Sequence, residues 1–331
     1  MKRCLVAIWS TLLYLCTLTP IQAMTMVKQV AVIGATGRLG RLAVTQLVER
    51  GIPCKILVRQ ETLPSPPPSL SLDTKENGET SLSSAQVAAY LASLKGVSVV
   101  HGDVGDVQAL RELVKDCDAC LALYGATRRS KVSDLWQNVA DEDPSHAKQV
   151  NYQGVLNLLQ ACEAVGCRRL VRITGKGETP TNFISILINV LGSMAKAWNY
   201  QGEQALRGQN TVDYTIIRPG LMKEDGPVGN VLTLADDGGD LPVAKIRYAD
   251  IASLCIDCLE YDNAKRATLT AMTCENGAST WAPLLEKVQP DRRQFPSDML
   301  EQHYAAVRKF LFGAGALGAL ALAVVVKLIL G

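Results

Sequence analysis

Val30-Ala31-Val32-Ile33-Gly34-Ala35-Thr36-Gly37-Arg38-Leu39-Gly40 is a β-branched run that passes directly into three spaced glycines and then into the amphipathic stretch Arg41 to Arg50. A short apolar run reads as a buried strand, and apolar positions recurring every three or four residues read as a helix. Between them the glycines have distinct tasks. Gly34 permits a tight turn, Gly37 lets the backbone approach a pyrophosphate, and Gly40 lets the helix pack closely on the strand, while the helix N-terminus favours phosphate charge. The strand-turn-helix context is what the motif requires, so Gly34, Ala35, Thr36, Gly37, Arg38, Leu39 and Gly40 are expected to hold a dinucleotide.

Working outward, the same alternation continues. Strands are expected at Cys54 to Val58, Val97 to His101, Ala119 to Leu123, Leu170 to Thr174, Tyr214 to Arg218 and Thr268 to Met272, and helices at Val107 to Lys115, Val150 to Val165 and Lys196 to Leu206. This is the pattern of an α/β fold, a doubly wound parallel sheet of Rossmann type, in a single domain over residues 27–285. A Pro-rich insertion at 60–84, containing Pro64, Pro66, Pro67 and Pro68, reads as a surface loop near the adenosine end of the cofactor.

The second strand ends in Val58-Arg59. NAD-preferring domains place an acid there for the ribose hydroxyls; a guanidinium suits a 2′-phosphate, which Arg38 can also approach, so NADP(H) is the expected cofactor. The 34 Lys+Arg against 32 Asp+Glu leave little net field, and with aromatics at 5% there is no basic stripe interleaved with stacking rings. A nucleic-acid partner is not indicated.

Both ends speak of membranes. Met1-Lys2-Arg3, the apolar run Cys4 to Leu18 and Pro20-Ile21-Gln22-Ala23 have the parts of a signal-peptide leader over 1–23. A juxtamembrane segment at 286–309 leads to residues 310–330, apolar except for Lys327 and long enough to cross a bilayer core at ~1.5 Å per residue. The expectation is a single-pass C-terminal anchor in a secretory membrane such as the endoplasmic reticulum, or alternatively in a plastid membrane. Eight of the ten cysteines lie outside the leader. Cys117-x-x-Cys120 and Cys255-x-x-Cys258 fit buried structural thiols better than metal ligands, with a disulfide left open if the domain faces an oxidising lumen. The stretch Phe183 to Leu191 has apolar residues on more than one helical face and is read first as core.

Further motifs are His101-Gly102-Asp103-Val104, Asn151-Tyr152-x-Gly154, Tyr214-Thr215-Ile216-Ile217-Arg218-Pro219-Gly220 and Tyr248-Ala249-Asp250-Ile251-Ala252. With the glycine turn they make the chain resemble, from about Val27 to Met272, the atypical short-chain dehydrogenases/reductases and their NmrA-like relatives. The resemblance implies that Asp103 and Val104 flank the adenine, that Leu123, Tyr124 and Gly125 line the cofactor, and that Pro219 with Gly220 approaches the nicotinamide. The segment Gly202 to Ala271, including Lys223-Glu224-Asp225-Gly226 and Asp236-Asp237-Gly238, is similar to plastid members of the group that assist photosynthetic membrane complexes.

The family's reductases usually carry Tyr-x-x-x-Lys, in which the lysine lowers the phenol pKa and the tyrosine exchanges the proton with a carbonyl. Here Ala195 and Asn199 stand at those positions, and the alternative register, Tyr200-x-x-x-Gln204, also lacks the lysine. Thr174, where the family often puts a substrate-orienting hydroxyl, and Lys176 and Lys196 remain as candidate catalytic groups. The sequence thus implies an NADPH-dependent oxidoreductase without the usual pair, acting on an unidentified small-molecule substrate. The alternative is a non-catalytic NADP(H)-binding assembly factor or redox sensor for a membrane protein complex, again held to the lipid bilayer by the C-terminal helix.

Overall fold

The structure is a computed structural model that describes residues 27–68, 82–136, 143–235 and 243–313. At its centre β1 (Val30–Ile33) is buried throughout and pairs in parallel with β2 (Cys54–Val58) on one side and β4 (Ala119–Ala122) on the other. With β3 (Val97–His101), β5 (Arg169–Ile173), β6 (Asp213–Pro219), β8 (Leu232–Ala235) and β10 (Ala267–Thr273), the sheet has the order β3-β2-β1-β4-β5-β6-β10-β8. All pairs are parallel except β10 with β8. The small strands β7 (Leu221–Lys223) and β9 (Lys245–Arg247) pair beside it. The strand order reverses between β1 and β4, the crevice where doubly wound sheets bind ligands.

One face of the sheet is covered by α1 (Arg38–Glu49), α2 (Ser84–Ser93) and α7 (Tyr248–Glu260), the other by α3 (Val107–Val114), α4 (Gly154–Val165) and α6 (Ala195–Arg207). Apart from the edge strand β3, the expected strands are largely buried on both faces and read as apolar runs; all of them are present, with ends displaced by one residue at most. The α4 helix is entered through a π-helical turn, Lys148–Gln153. Two sheet-covering helices add to those expected. The α2 helix opens straight after the insertion on a capping box between Ser83 and Gln86, and α7 keeps Asp250, Ser253, Asp257 and Glu260 on one narrow polar stripe and buries most of the rest.

The C-terminal part brings the start of the expected membrane segment against the domain. Residues 299–313 are helical and packed against α5 (Phe183–Leu191): Tyr304, Ala306 and Val307 are buried with Ile186 and Val190, and Phe310 and Leu311 pack against them. The run assigned to a span from Phe310 therefore begins in contact with the domain. Among the described residues no helix is long and apolar enough to cross a membrane. The rest of that run from Ala314, the leader 1–23, residues 69–81 of the insertion and Asp236-Asp237-Gly238 lie outside the described residues. The α5 helix is only half core, since Ser185, Ile186, Asn189 and Val190 are buried while Phe183, Ile184 and Ile188 face out.

Cys117 lies between α3 and β4, Cys120 on β4, and Cys255 and Cys258 on α7; all four are buried free thiols. Burial pushes the Cys117 and Cys258 thiols up to about 12, the behaviour of inert packing residues.

Candidate functional site

The turn after β1 is built to the limit of what backbone can approach. Gly34 is left-handed at φ +83°, and a Cβ there would lie 2.5 Å from the carbonyl oxygen of Leu123. A Cβ on Gly40 would lie 2.0 Å from the Gly34 oxygen, so the first turn of α1 rests on the glycine loop. At Gly37 the nearest atom to such a Cβ is 3.3 Å away. Gly37 is also the N-cap, no side chain caps it, and the first turn of α1 holds no acid. Intrahelical bonding leaves the first backbone N–H groups without partners, so the loop presents uncapped donors and the positive end of a helix to an anion. A pyrophosphate fits this cradle.

At the adenosine edge Arg59 is largely exposed, with Nε 4.0 Å from Asp103 Oδ2. Arg38 sits over the Tyr248 ring at 5.0 Å. The loop after β3 is pinned from behind: Asn157 Nδ2 donates to the Val104 carbonyl at 2.9 Å, and a Cβ on Gly154 would come within 3.0 Å of the Val104 side chain. This accounts for Gly154 in Asn151-Tyr152-x-Gly154 and holds Val104 in place, with Asp103 beside the second strand's Arg59.

Toward the other end of the cleft, the segment after β4 is held by two residues that sequence reasoning did not single out for a role. Asn151, on the π turn, accepts from the Ala126 N–H at 2.9 Å and donates to the Ala195 carbonyl at 3.4 Å. Arg172, fully buried on β5, donates to the carbonyls of Ala122 and Tyr124 and stacks on the Tyr124 ring at 4.1 Å. Its remaining NH2 donates to Asn199 Oδ1 at 3.3 Å. Thus the position where the family puts lysine is occupied by an amide tied to a buried guanidinium, and burial lowers the pKa of Arg172. The signal was available in sequence: a charged residue inside the apolar run Leu170-Val171-Arg172-Ile173 has to be paired.

Thr174 and Lys196 are brought to the same end of the sheet, and both are already engaged. Thr174 Oγ1 donates to Glu203 Oε1 at 2.6 Å. Lys196 Nζ donates to the carbonyl oxygens of Lys176 and Gly175, so Lys176 contributes its backbone there. Glu203 is the hub: Arg218 donates to it through Nε at 3.0 Å and through NH2, and Arg207 NH2 is at 3.1 Å. Burial opposes its charge, but Arg218 and Arg207 more than offset this and hold the carboxyl at about 2. Arg218 also reaches Glu178, which Arg293 clamps with bonds of 2.5 and 2.9 Å.

Tyr200 OH donates to the Pro296 carbonyl at 3.0 Å, and burial, followed by the nearby Glu178 charge, pushes its pKa up to about 12. A small pocket lies among these groups, lined by Lys196, Asn199, Tyr200, Glu203 and Arg218, with His303 from residues 299–313 at its edge. Pro219 ends β6 beside it, where Gly220 packs tightly under Ala244.

A family model described as NAD(P)H-binding matches residues 34–262. An uncharacterized chloroplastic protein of Arabidopsis thaliana is 27% identical over 263 residues, covering 76% of this chain and 71% of that protein. The photosystem II assembly factor Ycf39 of Synechocystis is 23% identical over 260 residues, covering 76% and 64%. Among solved structures, a short-chain dehydrogenase/reductase from Veillonella parvula in complex with NADP superposes with a TM-score of 0.54 at 13% identity, over 77% of this chain and 99% of that one. ChuY, an anaerobillin reductase from Escherichia coli, gives 0.51 at 15%, over 75% and 98%. The glycine cradle at the β1/β4 switch point and the family match lead to one conclusion: the chain belongs to the NAD(P)H-binding family and is an NmrA-like Rossmann protein.

Proposed function

We propose that the protein is a membrane-anchored NADP(H)-binding module whose bound nucleotide serves assembly or redox sensing in a membrane protein complex. The observation that carries this reading is the contrast between the two ends of the cleft. The phosphate cradle is complete, whereas the polar groups expected to do chemistry are turned inward: Asn199 toward Arg172, Thr174 toward Glu203, Lys196 toward backbone carbonyls, Tyr200 toward Pro296. A Tyr200 phenol near 12 without a neighbouring lysine is a weak proton donor at neutral pH. The Synechocystis relative is an assembly factor, which accords with the reading. When bound, NADP(H) would supply or accept a hydride; Gly34, Gly37 and Gly40 would hold its pyrophosphate, Arg59 and Arg38 its 2′-phosphate, and Leu123 to Gly125 would line it.

The second reading, an NADPH-dependent reductase, is favoured by the pocket between Lys196 and Tyr200, which would admit a small carbonyl. Calorimetric titration with NADPH and NADH tests the cofactor assignment. On this reading the 2′-phosphate would meet Arg59 and Arg38, so Arg59→Ala is expected to weaken NADPH by roughly tenfold and leave NADH unchanged. Equal weakening of both nucleotides would remove Arg59 from the phosphate site. NADPH oxidation over a panel of carbonyls separates the two readings, since turnover lost on Lys196→Ala or Thr174→Ala would establish the reductase.

A further inference from the structure

Phe183, Ile184 and Ile188 on α5, Val132 and Trp136 on the segment after β4, and Phe312 are each between 42% and 80% exposed. They do not lie scattered. Trp136 meets Phe312 with ring centroids 6.0 Å apart, and Phe183 meets Phe310 at 6.2 Å. Beneath them Leu135, Ile186, Val190, Tyr304 and Val307 are buried in one cluster, so three chain segments are held together with their apolar rims turned outward. Contiguous exposed apolar surface on an otherwise ordinary domain marks an interaction face.

Its rim is basic. Arg129, Lys131 and Lys309 are exposed and Arg308 is half-buried, whereas the nearby acids are engaged: Asp134 with Arg128 and the Lys131 N–H, Asp143 with Arg128 and Lys131. Glu301, the exposed acid of the same C-terminal helix, lies about two turns back from Lys309. Phe310 and Phe312 also stand where the chain passes into Ala314 to Val326, a stretch without a single charged residue.

We propose that this face docks on the surface of an anionic lipid bilayer, with the aromatic and β-branched side chains entering the headgroup boundary and Arg129, Arg308 and Lys309 meeting lipid phosphates. The proposal rests on the anchoring reading above and adds a second contact, made by the folded domain itself. Apolar insertion and lipid phosphate attraction are the two terms that hold interfacial helices, and each basic residue adds to the second. Ile188 belongs both to this face and to the lining of the pocket, so the pocket opens beside the lipid.

The test uses the full chain in phosphatidylcholine/phosphatidylglycerol vesicles carrying brominated acyl chains, with flotation and tryptophan fluorescence read together. Trp136→Phe defines the share of quenching that belongs to Trp136, since Trp9, Trp198 and Trp281 also emit. Docking predicts that the chain floats, that Trp136 is quenched, and that Phe183→Ser/Ile184→Ser/Ile188→Ser lowers this quenching by about half or more while the chain still floats. Flotation with Trp136 unquenched would overturn the docking face and leave the anchor standing; a concentration-dependent dimer in that case would assign the face to a second copy. Failure to float would overturn both. Quenching unaffected by the triple change would also overturn the proposal, because α5 would not be in the contact.

Discussion

Replacing Glu203 by glutamine is expected to lower the melting temperature by roughly 10 °C, because loss of a buried carboxylate that neutralises buried arginines costs about 3–5 kcal/mol in a domain of this size. The change leaves side-chain volume nearly intact while removing the charge and turning one acceptor oxygen into a donor, so packing loss is not an explanation. Arg218, fully buried, would keep Glu178, but the amide has one acceptor oxygen where the carboxylate has two, so with its NH2 group in the Oε2 place Arg218 and Arg207 each lose one bond. Thr174→Val, which deletes a single donor to the same carboxylate and leaves both guanidinium partners in place, is expected to cost only about 1–2 kcal/mol.

The same residue sets an acid limit. Its carboxyl is held at about 2 in the folded protein against an ordinary 4.5. A depressed folded-state value contributes stability that is fully present above the unfolded value and is lost as pH falls toward the folded one. The contribution, of the order of 3 kcal/mol, should therefore disappear between about pH 5 and pH 2. Thermal melts across this range check both statements: the native protein should show the steeper acid slope, and Glu203→Gln should flatten it. Parallel slopes would mean that another carboxylate governs acid unfolding.

What could be read from the sequence divides along physical lines. The strands and the glycine turn were legible because they depend on local signals, a continuous apolar run and residues without a Cβ. The cradle was legible for the same reason. The chemical end of the cleft was not, because its state depends on contacts between residues far apart in the chain. Thr174 and Lys196 qualify by type and position, yet only the fold shows one hydroxyl committed to Glu203, 29 residues away, and one ammonium committed to the carbonyls of Gly175 and Lys176. Arg172 and Arg218 gave a partial warning, as charged residues embedded in strand cores. Residues 299–313 show a related limit: hydropathy registers that Phe310 is apolar, not which apolar surface lies opposite, and the fold brings it against α5.

The other large effect concerns the cradle, where neighbouring glycines should respond to alanine in different ways. Gly40→Ala would put a methyl 2.0 Å from the Gly34 oxygen and 2.7 Å from the Ala35 Cα, both backbone atoms. No rotamer relieves such a contact; α1 must move off the loop, which displaces the helix N-terminus that would bind phosphate. Gly40→Ala is therefore expected to lose both stability and nucleotide, with NADPH affinity falling by roughly a hundredfold or more. Gly37→Ala differs, because Gly37 has φ −73° and its nearest neighbour to a Cβ is 3.3 Å away. The fold should accept that methyl with little change in melting temperature. Yet the methyl occupies the surface on which a pyrophosphate would lie, so NADPH and NADH should both weaken, by roughly tenfold or more. Calorimetric titration beside thermal melts of the two variants reads the distinction directly. If Gly37→Ala binds both nucleotides as tightly as the native chain, the pyrophosphate does not cross this turn and the cradle must be sought elsewhere on the β1/β4 crevice; if Gly40→Ala melts normally, α1 is less closely seated on the loop than its geometry requires.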